Sequence, residues 1–235
     1  MLSARRWARQ RGELLDDPGA DGGTVLASLA DVARSNRFLG GRRAALARLD
    51  EFFRSERAPA TLSLLDVGTG LGDIPAAAGR CARSRGLALR LVGVDRHCAA
   101  ARAARRNGLQ AVLSEAGDLP LRDKSVDFAL CSQLLHHFAG AAAERLVREL
   151  DRVARRGVVI ADLRRSAAAA AGFFLASFPL RFHPVTRRDG VTSVLRGFTT
   201  AELVNLCRAA GVEPEVRRHS GFRLTAAWRP AAGPP

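Results

Sequence analysis

Two adjacent histidines, His136 and His137, follow the apolar run 126–131 (VDFALC), and such a pair can supply a group that takes a proton near neutral pH. Three carboxylates stand at or beside other apolar runs: Asp66 in 64–67 (LLDV), Asp95 at the end of 89–95 (LRLVGVD) and Asp118 in 115–121 (EAGDLPL). Just after Asp66 come three glycines at alternate positions, Gly68, Gly70 and Gly72. Glycine there admits positive φ and lets a ligand approach the main chain without meeting a Cβ. A helix start behind the glycines presents free N–H groups to an anion. The set describes a site for a small molecule with a carboxylate or phosphate, and a proton acceptor nearby.

Bringing these residues together requires strands and helices in alternation. The strand at 61–67 enters the glycine loop, and an alanine-rich helix then runs to about residue 85, where Gly86 ends it. There follow a strand at 89–95, a helix at 96–107, a short strand at 110–114, a strand at 126–131, a helix at 141–154 and a strand at 157–163 that ends in Asp162. Such alternation implies an α/β fold with a parallel sheet, whose strand exits are where ligands sit. Thr199 and Glu202 form a capping box that opens a helix closed by Gly211, and 212–219 with 222–228 read as a hairpin about Ser220-Gly221. Ahead of the sheet, 4–53 reads as two or more helices, broken at 17–23 and at Gly40-Gly41.

The third glycine follows Gly70 after one residue, so the register differs from the G-x-G-x-x-G of a dinucleotide site. The pattern apolar-apolar-Asp-apolar-G-x-G-x-G resembles motif I of the class I S-adenosylmethionine-dependent methyltransferases. Over 61–228 the order of motifs is similar to the small-molecule group that includes quinone and polyketide methyltransferases. The resemblance implies a Rossmann-like fold with a seven-stranded, mostly parallel sheet and an antiparallel last strand. It implies a helical leader or cap at 1–58 and a methyltransferase domain at 59–230 with a helical insertion near 164–198, while the Pro/Ala composition of 231–235 reads as a disordered tail.

S-adenosylmethionine is then the expected cofactor, with S-adenosylhomocysteine as product. The resemblance places Asp66, Gly68, Thr69, Gly70 and Gly72 at its methionine end, Asp95 on both ribose hydroxyls with Arg96 beside it, and Ser132 and Gln133 beside the methionine part. It places Asp118 on the adenine amino group and the Leu119 N–H on a ring nitrogen. The leader residues Asn36, Arg37 and Phe38 are candidates to touch the ligand. His136 or His137 is the candidate base, with His183 in reserve.

The chain lacks an N/D-P-P-aromatic tetrapeptide after 126–131, and no proline precedes Cys131, so exocyclic-amine and cytosine C5 methylation are disfavoured. The implied activity is O- or C-methylation of a small aromatic, quinone-like or polyketide-like acceptor in secondary metabolism. An RNA methyltransferase and a non-catalytic, cofactor-binding partner subunit stay open as alternatives.

Lys+Arg outnumber Asp+Glu by 37 to 23, a net charge of +14. Lys124 is the lone lysine and the arginines are scattered, which reads as a generally basic surface and makes nucleic acid an unlikely partner. Cys81, Cys98, Cys131 and Cys207 lie far apart with no C-x-x-C pair, so no metal site is expected and the thiols read as reduced, mostly buried groups of a cytoplasmic protein. The charged first residues do not form a secretory signal. The run 166–180 (SAAAAAGFFLASFPL) is short for a membrane span and reads as a lid over a lipophilic acceptor, a membrane-surface helix or a buried helix. Segment 181–198 reads as an irregular loop that offers His183, Arg187, Asp189 and Ser193 to the acceptor. The sequence leaves the oligomeric state open.

Overall fold

A computed structural model describes residues 2–231, with side chains from residue 5 onward. The apolar runs become seven strands: β1 (Ala60–Val67), β2 (Leu87–Asp95), β3 (Gln110–Leu113), β4 (Val126–Ser132), β5 (Ala154–Leu163), β6 (Glu215–His219) and β7 (Arg223–Trp228). They form one sheet in the order β3-β2-β1-β4-β5-β7-β6. β2 and β4 flank β1 in parallel, β3 and β5 extend the parallel set, and β7 runs antiparallel to both β5 and β6. Nearly every residue of β1 and β4 is buried, as strands covered on both faces must be. The expected class I architecture is therefore present.

Nine helices are assigned among the described residues: α1 (Leu2–Arg9), α2 (Gly22–Phe38), α3 (Gly41–Arg54), α4 (Asp73–Arg83), α5 (Cys98–Arg106), α6 (Ala141–Val153), α7 (Ala167–Ala176), α8 (Pro184–Arg196) and α9 (Thr200–Ala209). Leu49 and Phe53 of α3 and Ile74 and Ala78 of α4 share one core with Leu62, Leu64 and Phe128 of the sheet. Leu146 and Leu150 of α6 and Leu203 and Cys207 of α9 share another with Leu65, Ile160 and Leu224. The strand order reverses between β1 and β4, and the carboxyl ends of those two strands bound the crevice where an open α/β sheet holds its ligand.

The segment expected as a loop at 181–198 is mostly α8, which His183 caps and Pro184 opens. The hydrophobic run holds α7, packed on α8 through Ala169, Ala170 and Val194. Gly190 makes that contact possible, because a Cβ there would come within 2.1 Å of the Phe173 ring. Phe174, Leu175 and Phe178 stay exposed, so α7 is not a buried helix, and no helix among the described residues is long and apolar enough to cross a membrane. Thr199 and Glu202 close the expected capping box. All four cysteines are free; Cys131 and Cys207 are buried, whereas Cys98 is exposed. Residues 232–235 of the expected tail lie outside the described residues.

Candidate active site

The glycine loop leaves β1 with Gly68, Gly70 and Gly72 at φ of 73°, 52° and 75°, a region that side chains rarely adopt. Its N–H groups at Gly68 and Thr69 both donate to the Val94 carbonyl, at 2.8 and 3.0 Å, and so tie the loop to β2. The Gly70 N–H donates to Asp95 Oδ2 at 2.8 Å, and the His97 N–H to Oδ1 at 2.9 Å. Asp95 thus holds the loop as well as facing the cavity. A Cβ on Gly68 would lie 2.8 Å from Leu134.

Thr69 Oγ1 donates to Asp66 Oδ2 at 2.9 Å, while Asp66 Oδ1 is buried without a partner. Burial, helped by the nearby Asp73 and Asp95 charges, pushes the Asp66 carboxyl up to about 8. Burial also raises Asp73, the first residue of α4. An anion was expected at this helix start, but Asp73 already brings negative charge there. With Asp66, Asp73 and Asp95 side by side, the wall suits a cationic group.

One cavity of about 590 Å³ opens over the loop. It gathers Asp66, Gly68, Thr69, Gly70, Asp95, Arg96, Ser132, Gln133, His136 and His137, together with the leader residues Asn36, Arg37 and Phe38. Four expected residues lie elsewhere. Gly72 caps α4 and its N–H closes the turn onto the Thr69 carbonyl, while a Cβ there would meet Leu109 at 2.9 Å. Asp118 is exposed, and the Leu119 N–H is taken by Glu149 Oε2 at 2.8 Å; the wall beyond β3 is instead Ser114, Glu115 and Ala116. His183 is exposed and accepts the Val185 N–H as the α8 cap. Of the remaining acceptor candidates, Asp189 and Ser193 reach the wall and Arg187 does not; its guanidinium stacks on Phe178.

A polar chain crosses the cavity. Arg223 Nη1 donates to Gln133 Oε1 at 2.9 Å, Gln133 Nε2 donates to Asn36 Oδ1, and Asn36 Nδ2 reaches Asp73 Oδ2 at 3.5 Å. Gln133 adopts a φ of 51° to make these contacts. Burial lowers Arg223 to about 10 against the pull of Asp162.

At the far end, His136 Nδ1 lies 2.7 Å from Asp162 Oδ1, and Asp162 Oδ2 accepts the His136 N–H at 3.1 Å. Burial alone would raise the Asp162 carboxyl; the His136 charge and hydrogen bonds outweigh it and hold the group below the usual carboxylate range. His136 Nε2 faces the cavity, buried and without a partner. His137 Nδ1 lies 2.7 Å from Asp16 Oδ1, and the two imidazoles lie against each other tilted by 34°, with centroids 4.3 Å apart. Burial opposes ionisation of Asp16, yet hydrogen bonds from His137, the Glu13 backbone and Arg196 leave its carboxyl well below the usual range.

Asp162, Glu13, Asp16, Arg223, Glu115 and Ala116 are the site residues that sequence reasoning missed. Asp162 had a signal, since it stands at the carboxyl end of its strand, one residue short of the last, much as Asp95 ends β2. Glu13 and Asp16 had none, because they sit in a short 3-10 turn with no periodicity.

Residues 65–161 match the family model described as a methyltransferase domain. S-adenosylmethionine is the cofactor expected of such a domain. No curated protein matches the chain. Among solved structures, human N-acetylserotonin methyltransferase in complex with SAM aligns over 99% of this chain and 65% of its own, at 13% identity and a TM-score of 0.65. A SAM-dependent methyltransferase from Aquifex aeolicus aligns over 88% of this chain and 97% of its own, at 16% identity and a TM-score of 0.58. An O-methyltransferase family protein from Burkholderia thailandensis shares 15% identity over 87% of this chain and 60% of its own, with a TM-score of 0.58. At these identities the likeness is one of fold, and it extends beyond the methyltransferase domain into the helices before and after it.

Proposed function

We propose that the chain is an S-adenosylmethionine-dependent methyltransferase that methylates an oxygen or carbon of a small aromatic, quinone-like or polyketide-like acceptor. The observation that carries this reading is the His136–Asp162 pair, whose unpartnered Nε2 opens into the same cavity as the glycine loop.

The loop half fits the cofactor on its own chemistry. Asp66 Oδ1, buried and unpartnered, suits the ammonium of the methionine part, and the three neighbouring carboxylates suit a ligand with a net positive methionine-sulfonium end. Arg37 and Arg43 on the same wall supply charge for its carboxylate. Asp95 retains lone pairs for ribose hydroxyls after accepting the Gly70 and His97 N–H groups. Glu115 and Ala116 take the adenine-facing place first given to Asp118 and Leu119. Bound there, the cofactor supplies a methyl group activated on a sulfonium.

The rest falls to the protein: it aligns the acceptor, excludes water and takes a proton. Leu15, Phe138, Leu163, Phe173 and Phe222 give the other half of the cavity an apolar wall, and α7 with α8 roofs it. Asp162 fixes the Nδ1 proton of His136, which leaves the Nε2 lone pair to receive the proton of a phenol or enol. A roofed cavity of this size favours a small molecule over RNA, despite the basic surface. The test is single-turnover methyl transfer from labelled cofactor to a panel of phenols, quinols and enolic polyketides. Transfer to a member of that panel, lost in His136→Gln, supports the reading; transfer to RNA alone overturns it.

A further inference from the structure

We propose that Glu13, His136 and His137 form a site for a divalent transition-metal ion at the acceptor end of the cavity. One donor atom from each residue lies within 4.8 Å of the others. No local pattern joins this set, because Glu13 arrives from the leader and the histidine pair from the exit of β4.

Each imidazole is held as a metal-binding imidazole is usually held. His136 Nδ1 and His137 Nδ1 each lie 2.7 Å from a carboxylate oxygen, of Asp162 and Asp16 respectively. With Nδ1 donating, each Nε2 carries a lone pair. His136 Nε2 is buried with no partner, and His137 Nε2 stands 3.9 Å from Glu13 Oε2. Glu13 Oε2 accepts from Ser193 Oγ at 2.6 Å. Arg196 Nη1 approaches Oε1 to 3.0 Å but out of line for a hydrogen bond, so that oxygen keeps its lone pairs.

The charges also call for a cation. Glu13, Asp16 and Asp162 bring three carboxylates, and Arg196 is the one arginine or lysine paired with them among the described residues. With neutral imidazoles the three carboxylates still outnumber Arg196 and Arg223, the latter within reach of the Asp162 charge, so a net negative charge remains for a cation to reduce. Two imidazoles and one carboxylate suit Zn²⁺, Co²⁺ or Fe²⁺ over Mg²⁺ or Ca²⁺.

On the function proposed above, His136 Nε2 is also the proton acceptor. One lone pair serves either the ion or the proton, so the loaded site blocks methyl transfer, and zinc acts as an inhibitor competing at the acceptor end.

The test titrates Zn²⁺ into the untagged, chelator-stripped full chain by calorimetry, with S-adenosylmethionine affinity measured in parallel. One ion per chain is expected, bound at least tenfold more weakly by Glu13→Gln and by His137→Gln. In the unsubstituted chain, Co²⁺ should give visible bands of nitrogen and oxygen ligation without a thiolate charge-transfer band. No zinc binding, equal binding in both variants, or a thiolate band overturns the site. A chain that binds zinc but not S-adenosylmethionine keeps the metal site and removes the methyl-transfer reading; the opposite result does the reverse. Activity that rises with zinc overturns the inhibition.

Discussion

His136 Nδ1 meets Asp162 Oδ1 at 2.7 Å and joins the exit of β4 to the end of β5 at the floor of the cavity. Asp162 also accepts the His136 and Leu163 N–H groups, so the imidazole and the two strand ends are fixed together. For an acceptor that must lose a proton, His136→Gln should lower kcat by about 10²–10⁴-fold. Asp162→Asn should lower it by about 10²-fold with cofactor affinity retained, as an Asn cannot hold the same tautomer as firmly. Rapid-quench kinetics in chelator, with cofactor binding measured alongside, checks both. Unchanged kcat in His136→Gln would leave the acceptor to lose its proton elsewhere.

Asp66 should make stability depend on pH. Unfolded, it ionises near the ordinary value of about 4; folded, burial holds it at about 8. The folded chain keeps a proton that the unfolded chain has lost, so this group makes stability fall as pH rises from about 4 to about 8 and adds no further change above. Asp66→Asn removes that slope, and its Tm should gain on the original chain across the window, by the equivalent of a few kcal/mol on the order given by such a shift. Parallel Tm profiles would contradict the assignment.

Glu115 and Asp118 can be told apart by cofactor affinity. Glu115 lines the cavity and Asp118 is exposed outside it. Glu115→Gln should weaken S-adenosylmethionine binding by about fivefold or more, and Asp118→Asn should leave it unchanged. The reverse order in calorimetry would restore the original placement.

Gly190 sets the seat of α7 on α8. A Cβ 2.1 Å from the Phe173 ring forces that ring into the acceptor end, so Gly190→Ala should cost about 1–3 kcal/mol of stability. Acceptor KM should rise more than cofactor Kd, as read by denaturant melts and steady-state kinetics. An equal rise in both would show that α7 supports the whole cavity.

The sheet was legible because β1, β2, β4 and β5 are mostly apolar runs, each punctuated by a turn signal, and the loop was legible because three glycines in alternation have few other uses. Gly72 shows the limit: its spacing belongs to the motif, yet its backbone caps a helix and does not line the cavity. Asp118 beside Pro120 reads as a site residue, while Glu115 reaches the cavity rim and the Leu119 N–H is taken by Glu149 on α6, a long-range contact no local pattern encodes. Segment 181–198 read as a loop because its charges and Gly190 hide the helical period of α8; packing against Phe173 selects that glycine. The acid partners of the histidines came from distant segments, Asp162 from β5 and Asp16 from the leader.

Calorimetric titration of S-adenosylmethionine asks whether the glycine loop and Asp95 hold that cofactor. One site per chain is expected, with competition by S-adenosylhomocysteine and a loss of about tenfold or more in Asp95→Ala, equivalent to about 1.4 kcal/mol. No binding by the unsubstituted chain, or equal affinity in Asp95→Ala, would contradict that role.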